Sequence, residues 1–183
     1  VSSIAGYGFE IYHDKAKDTV MAILMLAMMV PFVAVLVPLF QMFTKAKLIN
    51  SWTGFILPSI ATPFLIMYFR NSARSFPRDT LEAARIDGLN EFQIFIRMFI
   101  PMMKPTYASA ATITFMGAWN AYLWPKVVMQ TNEAITMPML VANTMGGYVI
   151  DYGVVMAAVT ICSLPTVIIF FCLQKSFTNA VVQ

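Results

Sequence analysis

Gly153-Val-Val-Met-Ala-Ala-Val-Thr-Ile-Cys-Ser-Leu-Pro-Thr-Val-Ile-Ile-Phe-Phe-Cys-Leu-Gln174 contains no acidic and no basic residue. A helix of about 20 such residues, rising about 1.5 Å per residue, crosses a hydrocarbon core roughly 30 Å thick. Three more windows, near 20–43, 54–70 and 106–129, have the same character, although 54–70 is short and holds Pro58 and Pro63. The whole chain agrees: its 183 residues are 59% hydrophobic and 11% charged, with mean hydropathy +0.71. Soluble domains carry about 25% charged residues. The sequence therefore predicts an all-α fold, a polytopic membrane helical bundle of four full spans forming a single domain over residues 1–183.

Four spans return the chain to the side on which it starts, and basic residues mark the cytoplasmic side. Lys15, Lys17, Arg70, Arg74, Arg78, Arg85, Arg97, Lys104 and Lys175 fall on the side of both ends and of the loop near Glu82; Lys45, Lys47 and Lys126 fall on the other. Nine against three of the 12 basic residues puts both ends and that loop in the cytoplasm, and the hairpins near 44–53 and 130–152 outside. The net charge of +3 thus reports topology, with no nucleic-acid partner implied. Cys162 and Cys172 share the last window. At about 15 Å apart along one helix they cannot bond to each other. His13, the lone histidine, sits among charges in Glu10–Asp18 and reads as a solvated loop residue. Val1 to Phe9 reads as the tail of an interrupted apolar helix, so the chain is expected to be a fragment lacking the first helix and most of the second. It has neither the basic head nor the apolar run of a signal peptide.

Prolines punctuate the windows: Pro31 and Pro38 in the first, Pro58 and Pro63 in the second, Pro165 in the last. Each removes a helical hydrogen bond and bends the axis, which suits a transport path and ordinary packing alike. Between the second and third windows lies a charged segment, residues 77–103. Asp79, after Pro77 and three residues before Glu82, predicts a helix start whose acidic side chains meet free N–H groups. That helix runs through Leu81, Ala83, Ala84 and Ile86 to Gly88, the residue best suited to a left-handed closing position. Asn90 with Gln93 predicts a second cap, and Phe92, Phe95, Ile96 and Phe99 recur at the spacing of an amphipathic helix. The small Ala83 and Ala84 would let another backbone come close. On these grounds alone, an amphipathic helix resting on the membrane surface fits equally.

The spacing Glu82-Ala83-Ala84, Gly88 four residues after Ala84, and Pro101 thirteen after the glycine resembles the EAA loop of type I ABC importer permeases, with Asp87 as their carbohydrate-uptake group has it. Gly117-Ala-Trp-Asn-Ala-Tyr-Leu-Trp-Pro125 is similar to that group's penultimate helix, and Leu173-Gln-Lys175 followed by an aromatic resembles the end of its last one. Met98 and Ile100 depart from the usual isoleucine and leucine before the proline, apolar exchanges of similar volume. The resemblance implies a cytoplasmic coupling-helix loop at 77–103, in which Glu82, Ala83, Ala84, Asp87, Gly88 and Pro101 meet an ABC ATPase. It also implies a second permease subunit, an extracytoplasmic solute-binding protein, a sugar substrate, and residence in a bacterial or archaeal cytoplasmic membrane. No cofactor would bind this chain, since ATP and Mg²⁺ belong to the partner ATPase. The residues agree: neither G-x-x-x-x-G-K-[ST] nor G-x-G-x-x-G occurs, and the chain would not be an enzyme.

Ser109, Thr112, Met116 and Asn120 fall near one face of the 106–129 window, with Trp119 beside them. Such a stripe serves close helix packing or lines a substrate path, and both readings stay open. Asn120 is the stronger path candidate, because its amide both donates and accepts, as sugar hydroxyls require. Trp119, Tyr122 and Trp124 suit stacking on a sugar or an interfacial aromatic belt. The outer loop from Thr131 to Tyr152, with Glu133, Asn143, Gly146, Gly147, Tyr148 and Asp151, reads as a solvated hairpin that in such permeases approaches the binding protein. The alternatives are an ion-coupled secondary transporter and, further off, an intramembrane enzyme. Ion-coupled carriers place ionisable residues within their spans, whereas these windows hold almost none, and one histidine assembles neither a catalytic triad nor a metal cluster. Single cysteines at Ser75 and Asn132, in a background lacking Cys162 and Cys172, are expected to label from opposite faces of intact membranes. Labelling of both from outside refutes the orientation.

Overall fold

The computed structural model describes residues 1–12, 14–131, 135–146 and 150–181, with side chains through Cys172. His13, Glu133, Gly147, Tyr148 and the side chains of Leu173-Gln-Lys175 lie outside the described residues. Every regular element among those described is helical: α1 (Ser2–Ile11), α2 (Lys15–Met28), α3 (Phe32–Lys45), α4 (Trp52–Ile56), α5 (Pro63–Ala73), α6 (Arg78–Ile86), α7 (Glu91–Ile94), α8 (Ile100–Met102), α9 (Lys104–Trp119), α10 (Leu123–Val128), α11 (Met137–Thr144) and α12 (Tyr152–Val181). They group into two compact units, residues 1–32 with 58–108, and residues 33–57 with 109–183.

The first unit is organised by α1, which reads at sequence level as a helix remnant. Its glycine lets it lie directly on α5: a Cβ on Gly6 would sit 2.6 Å from Phe69 Cβ, 2.7 Å from Arg70 N and 2.9 Å from Ile66 O. One residue on, Tyr7 enters a core of Ala73, Phe76, Leu81, Ala84, Ile94, Phe95, Phe99 and Met103. Its ring meets those of Phe95 and Phe99 edge-on, at centroid distances of 5.2 and 4.9 Å. Such aromatic pairs add about 0.5–1.5 kcal/mol beyond burial. At the start of α1, the Tyr107 hydroxyl donates to Ser3 Oγ at 2.8 Å.

The second unit is knitted at one end by Trp124, whose ring stands edge-on to Phe43 at 5.1 Å. Its indole N–H reaches the Gly54 and Phe55 carbonyls, both at 3.3 Å, as a buried indole must find an acceptor. Asn50, at φ 57°, donates its N–H to Val128 O at 2.8 Å and accepts from Gln130 N at 2.6 Å. Asparagine tolerates that left-handed position better than most residues. Trp119 Nε1 donates to Cys162 O at 2.9 Å, tying α9 to α12. Cys162 follows Ile161, the carbonyl that Pro165, inside α12, leaves without its amide partner.

Prolines break the expected spans more often than they bend them. One helix segment among the described residues, Tyr152–Cys172, is long and apolar enough to cross a membrane; the number is up to three if α2 with α3, and α4 with α5, each count as one interrupted span. In 20–43 the chain leaves the helix before Pro31, while Pro38 stays inside α3. In 54–70, Pro58 lies in a 3-10 turn and Pro63 opens α5, with Thr62 Oγ1 accepting from Leu65 N at 3.4 Å. The 106–129 window is not one helix: α9 ends at Trp119 and α10 begins at Leu123. Pro125 has no N–H for the Ala121 carbonyl, and its ring collides with that carbonyl in a continuous helix. The outer loop is not a plain hairpin either, for it contains α11, and Asp151 caps α12 by accepting from Gly153 N at 2.8 Å.

Gly6→Val is expected to lower stability by about 1–3 kcal/mol, the usual cost of overpacking, read as an earlier melting transition in detergent. Gly8→Ala, where a Cβ meets nothing within 4 Å, is expected to hold or raise that transition, since alanine favours a helix over glycine by about 1 kcal/mol. Equal behaviour of the two variants refutes the close approach of α1 and α5.

Candidate functional site

Residues 77–103 fold as two helical segments joined by a tight turn. α6 begins at Arg78 with Pro77 as its cap, and no side chain closes its first turn; Asp79 lies in that turn without bonding it. The expected acidic cap is therefore absent, and Asp79 contributes through the helix dipole instead. The other end follows the sequence. Gly88 adopts φ 79°, its N–H bonds Arg85 O at 3.1 Å, and Leu89 N–H bonds Ala84 O at 3.1 Å. This pair of bonds is the Schellman closure. Asn90 and Gln93 form the reciprocal capping box, Gln93 N to Asn90 Oδ1 at 2.9 Å and Asn90 N to Gln93 Oε1 at 3.0 Å.

The second segment departs from its expected face. After α7 the backbone winds as a π turn over Phe95–Phe99, with Ile100 N–H bonding Phe95 O. Pro101 gives the cause: it cannot bond the Arg97 carbonyl four residues back and its ring pushes against it, so a wider turn relieves the clash. The wider turn brings Ile94, Phe95, Phe99 and Met103 into the core and leaves Phe92 and Ile96 outside, 67% and 45% exposed. The even 3.6-residue stripe through Phe92, Phe95, Ile96 and Phe99 is not the buried one.

The two alanines also part. Ala84 is buried beneath Leu89, while Ala83 faces solvent, so Ala83 alone offers a small surface to another backbone. Glu82, Asp87, Gly88 and Pro101 are exposed. Among the described residues no hydrogen bond or ion pair within the chain engages the side-chain carboxylates of Glu82 or Asp87. A Cβ on Gly88 would meet nothing within 4 Å, so a side chain there clashes with nothing in this chain, and its cost is backbone strain. Ile86 is 86% exposed and, along the chain, lies before Gly88 where Phe92 lies after it. These two apolar residues are the part of the surface that sequence reasoning missed; the signal was there, since Ala84 rather than Ile86 falls in register with Leu81.

Behind this surface the turn is braced. Arg85 Nε donates to Glu91 Oε1 at 2.8 Å across Gly88, and Tyr7 OH makes a longer contact with Glu91 Oε2 at 3.5 Å. Burial alone raises the Glu91 pKa, but hydrogen bonds from Tyr12 and Arg85 outweigh it and hold the carboxyl below the usual range.

The stripe on α9 grades from inside to outside. Ser109 and Thr112 are buried, Met116 is half-buried and Asn120 is exposed. Asn120 lies just past the helix end, its Nδ2 donating to Met116 O at 2.9 Å, which leaves Oδ1 and one N–H for other partners. Trp119, stacked on Phe115 at 5.8 Å, gives its N–H to α12.

The family described as binding-protein-dependent transport system inner membrane component matches residues 2–183. Among curated relatives, the lactose transport system permease protein LacG of Rhizobium radiobacter is 42% identical over 179 residues, covering 98% of this chain and 66% of its own length. The arabinooligosaccharides transport system permease protein AraQ of Bacillus subtilis is 35% identical, covering 97% of this chain and 63% of its own. The sn-glycerol-3-phosphate transport system permease protein UgpE of Yersinia pestis is 28% identical, covering 100% and 66%. The chain thus spans just under two thirds of the length of these relatives. In three dimensions it matches a chain of a bacterial ABC transporter involved in the import of the acidic polysaccharide alginate, with a TM-score of 0.82 and 22% identity over 96% of this chain and 66% of that one. At that identity the likeness shows the helical fold.

A depressed carboxylate pKa stabilises above its unfolded value and loses that contribution as pH falls through the folded one. Glu91→Gln is therefore expected to melt slightly earlier than the parent at pH 7, by the equivalent of up to about 1 kcal/mol for so exposed a pair. The difference is expected to begin shrinking below the ordinary glutamate value of 4.5 and to vanish once the pH falls below the lowered value of the folded state. A difference unchanged down to pH 3 refutes the brace.

Proposed function

The chain belongs to the family of binding-protein-dependent transport system inner membrane components, and from that premise we propose that it forms half of the translocation path of an ABC importer, coupled to ATPase subunits through residues 77–103. The observation that carries this reading is the turn at Gly88: a rigid, core-backed closure that presents Ile86 and Phe92 to the outside, beside the unpaired acids Glu82 and Asp87. Two large apolar side chains held clear of their own core are an incomplete interface, and a cleft on a partner protein completes it. The ATPase binds ATP and Mg²⁺, and its closure displaces the turn. Because the turn shares a core with Tyr7 of α1 and Ala73 of α5, displacement moves those helices with it.

A carbohydrate is the substrate class that the residues favour. Ser109, Thr112, Met116, Trp119 and Asn120 include no charge, which suits a neutral polyol better than a phosphate ester. Sugars also appear in the names of the two more similar relatives. The remaining assembly consists of a second permease and an extracytoplasmic solute-binding protein that delivers the sugar. The 77–103 segment and both ends face the cytoplasm, as the nine-to-three distribution of basic residues favours.

Ile86→Glu and Phe92→Glu place charge where the chain itself has no packing to lose, so membrane insertion is expected to persist. Copurification of the ATPase from detergent extracts is expected to fall at least about tenfold, as for removal of interface anchors worth 2 kcal/mol or more. Gly88→Leu adds backbone strain of about 1–2 kcal/mol and is expected to act in the same direction. Full ATPase recovery with all three variants refutes the coupling role.

A further inference from the structure

A buried cation that the coupling surface does not use lies in the last turn of α5. Arg70 is 7% exposed. Its Nε donates to Glu10 Oε2 on α1 at 3.3 Å and its Nη2 to Asp18 Oδ1 on α2 at 2.6 Å. Arg74, one turn later, shares the same Glu10 oxygen at 3.3 Å. Two successive helices, α1 and α2, thus meet α5, more than 50 residues later, on one guanidinium. An arginine in place of a lysine is informative here, because its planar fork holds two acceptors in fixed directions whereas an ammonium does not. Buried ion pairs are poor net stabilisers compared with apolar packing, and their best-attested use is to fix one arrangement against others.

The location says which arrangement. Glu10 is three residues after Tyr7, the residue that enters the core of the coupling segment, and Arg70 immediately follows Phe69, against which Gly6 packs. Packing at Gly6 fixes the distance between α1 and α5 but not their sliding along each other, since apolar surfaces slip by a rotamer change. A bidentate cation between α1 and α2 resists that slip. We propose that Arg70 is a positioning residue: with Glu10 and Asp18 it clamps α1, α2 and α5 so that displacement of the 77–103 segment is carried by all three as one body. The proposal rests on the importer reading above.

The test uses the complete transporter in liposomes, without Cys162 and Cys172, with spin labels at Ile4 on α1 and Asp79 on α6. Distances are measured without nucleotide and after trapping with ATP and vanadate. The parent is expected to give the same narrow distribution in both states. Glu10→Gln, Asp18→Asn and Arg70→Met together remove the charges at similar volume, so no lone buried charge remains to unfold the unit. This triple variant is expected to retain its ATPase subunits and to trap nucleotide, with a distribution at least about twice as broad after trapping. Arg70→Lys, which keeps the charge but not the fork, is expected to fall between the two. A triple variant indistinguishable from the parent, one that fails to assemble, or a parent whose distance itself changes on trapping each overturns the clamp. A parent complex that neither holds an ATPase nor traps nucleotide overturns the importer reading and removes the clamp's purpose with it.

Discussion

The ring of Tyr7, edge-on to Phe95 and Phe99 at 5.2 and 4.9 Å, joins the segment at 77–103 to the helices beside it. It does so because Gly6, one residue earlier, lets α1 lie against α5 with no side chain between the backbones. A larger residue at that position separates the helices and withdraws the ring from its socket. The π turn shapes the socket: Phe95 and Phe99 share a face in any helical winding, and the wider turn brings Ile94 nearer to that side. Three local devices therefore act in series: a missing Cβ, an aromatic wedge and a widened turn. Each has little meaning without the next.

The same logic separates what holds the segment from what it presents. Ala84, Leu89 and Ile94 face the core; Ile86, Gly88 and Phe92 face away from it. A surface built in this way keeps its shape without a partner, which lowers the ordering cost of binding one. The bond from Arg85 to Glu91 spans the turn and opposes its opening.

Features set by one or two residues were legible in the sequence. Gly88 as a helix terminator and the Asn90–Gln93 box follow from the conformational freedom of one residue and the reach of two side chains, and both stand where expected. The family was legible from the spacing of Glu82, Ala83, Ala84, Gly88 and Pro101. What escaped was whatever depends on a proline acting at a distance. Pro101 converts the preceding turn from α to π and rotates the buried face; Pro125 obstructs the Ala121 carbonyl four residues upstream, so that α9 stops at Trp119; Pro31 ends α2 instead of bending it. Hydropathy counts apolar residues and passes over the carbonyl that each ring obstructs. The part played by α1 escaped for another reason: nothing in Val1 to Phe9 announces that Gly6 and Tyr7 meet residues more than 60 positions away.

The π turn also bears on how this chain tolerates change in length. An α-helix with one residue added relaxes into such a turn, so Phe95–Phe99 holds, in effect, one residue more than an α path between the same ends. Deleting a residue there would close the path to an α-helix between the same ends and set the Pro101 ring against the carbonyl four residues before it. In the α-helical stretches on either side there is no such slack: each residue turns about the axis by about 100°, so one residue more or fewer turns every later position up to the next break by that amount relative to Tyr7. Insertions and deletions in those stretches are therefore phase errors: the chain stays helical, and what is lost is the agreement between its two ends about which way is inward.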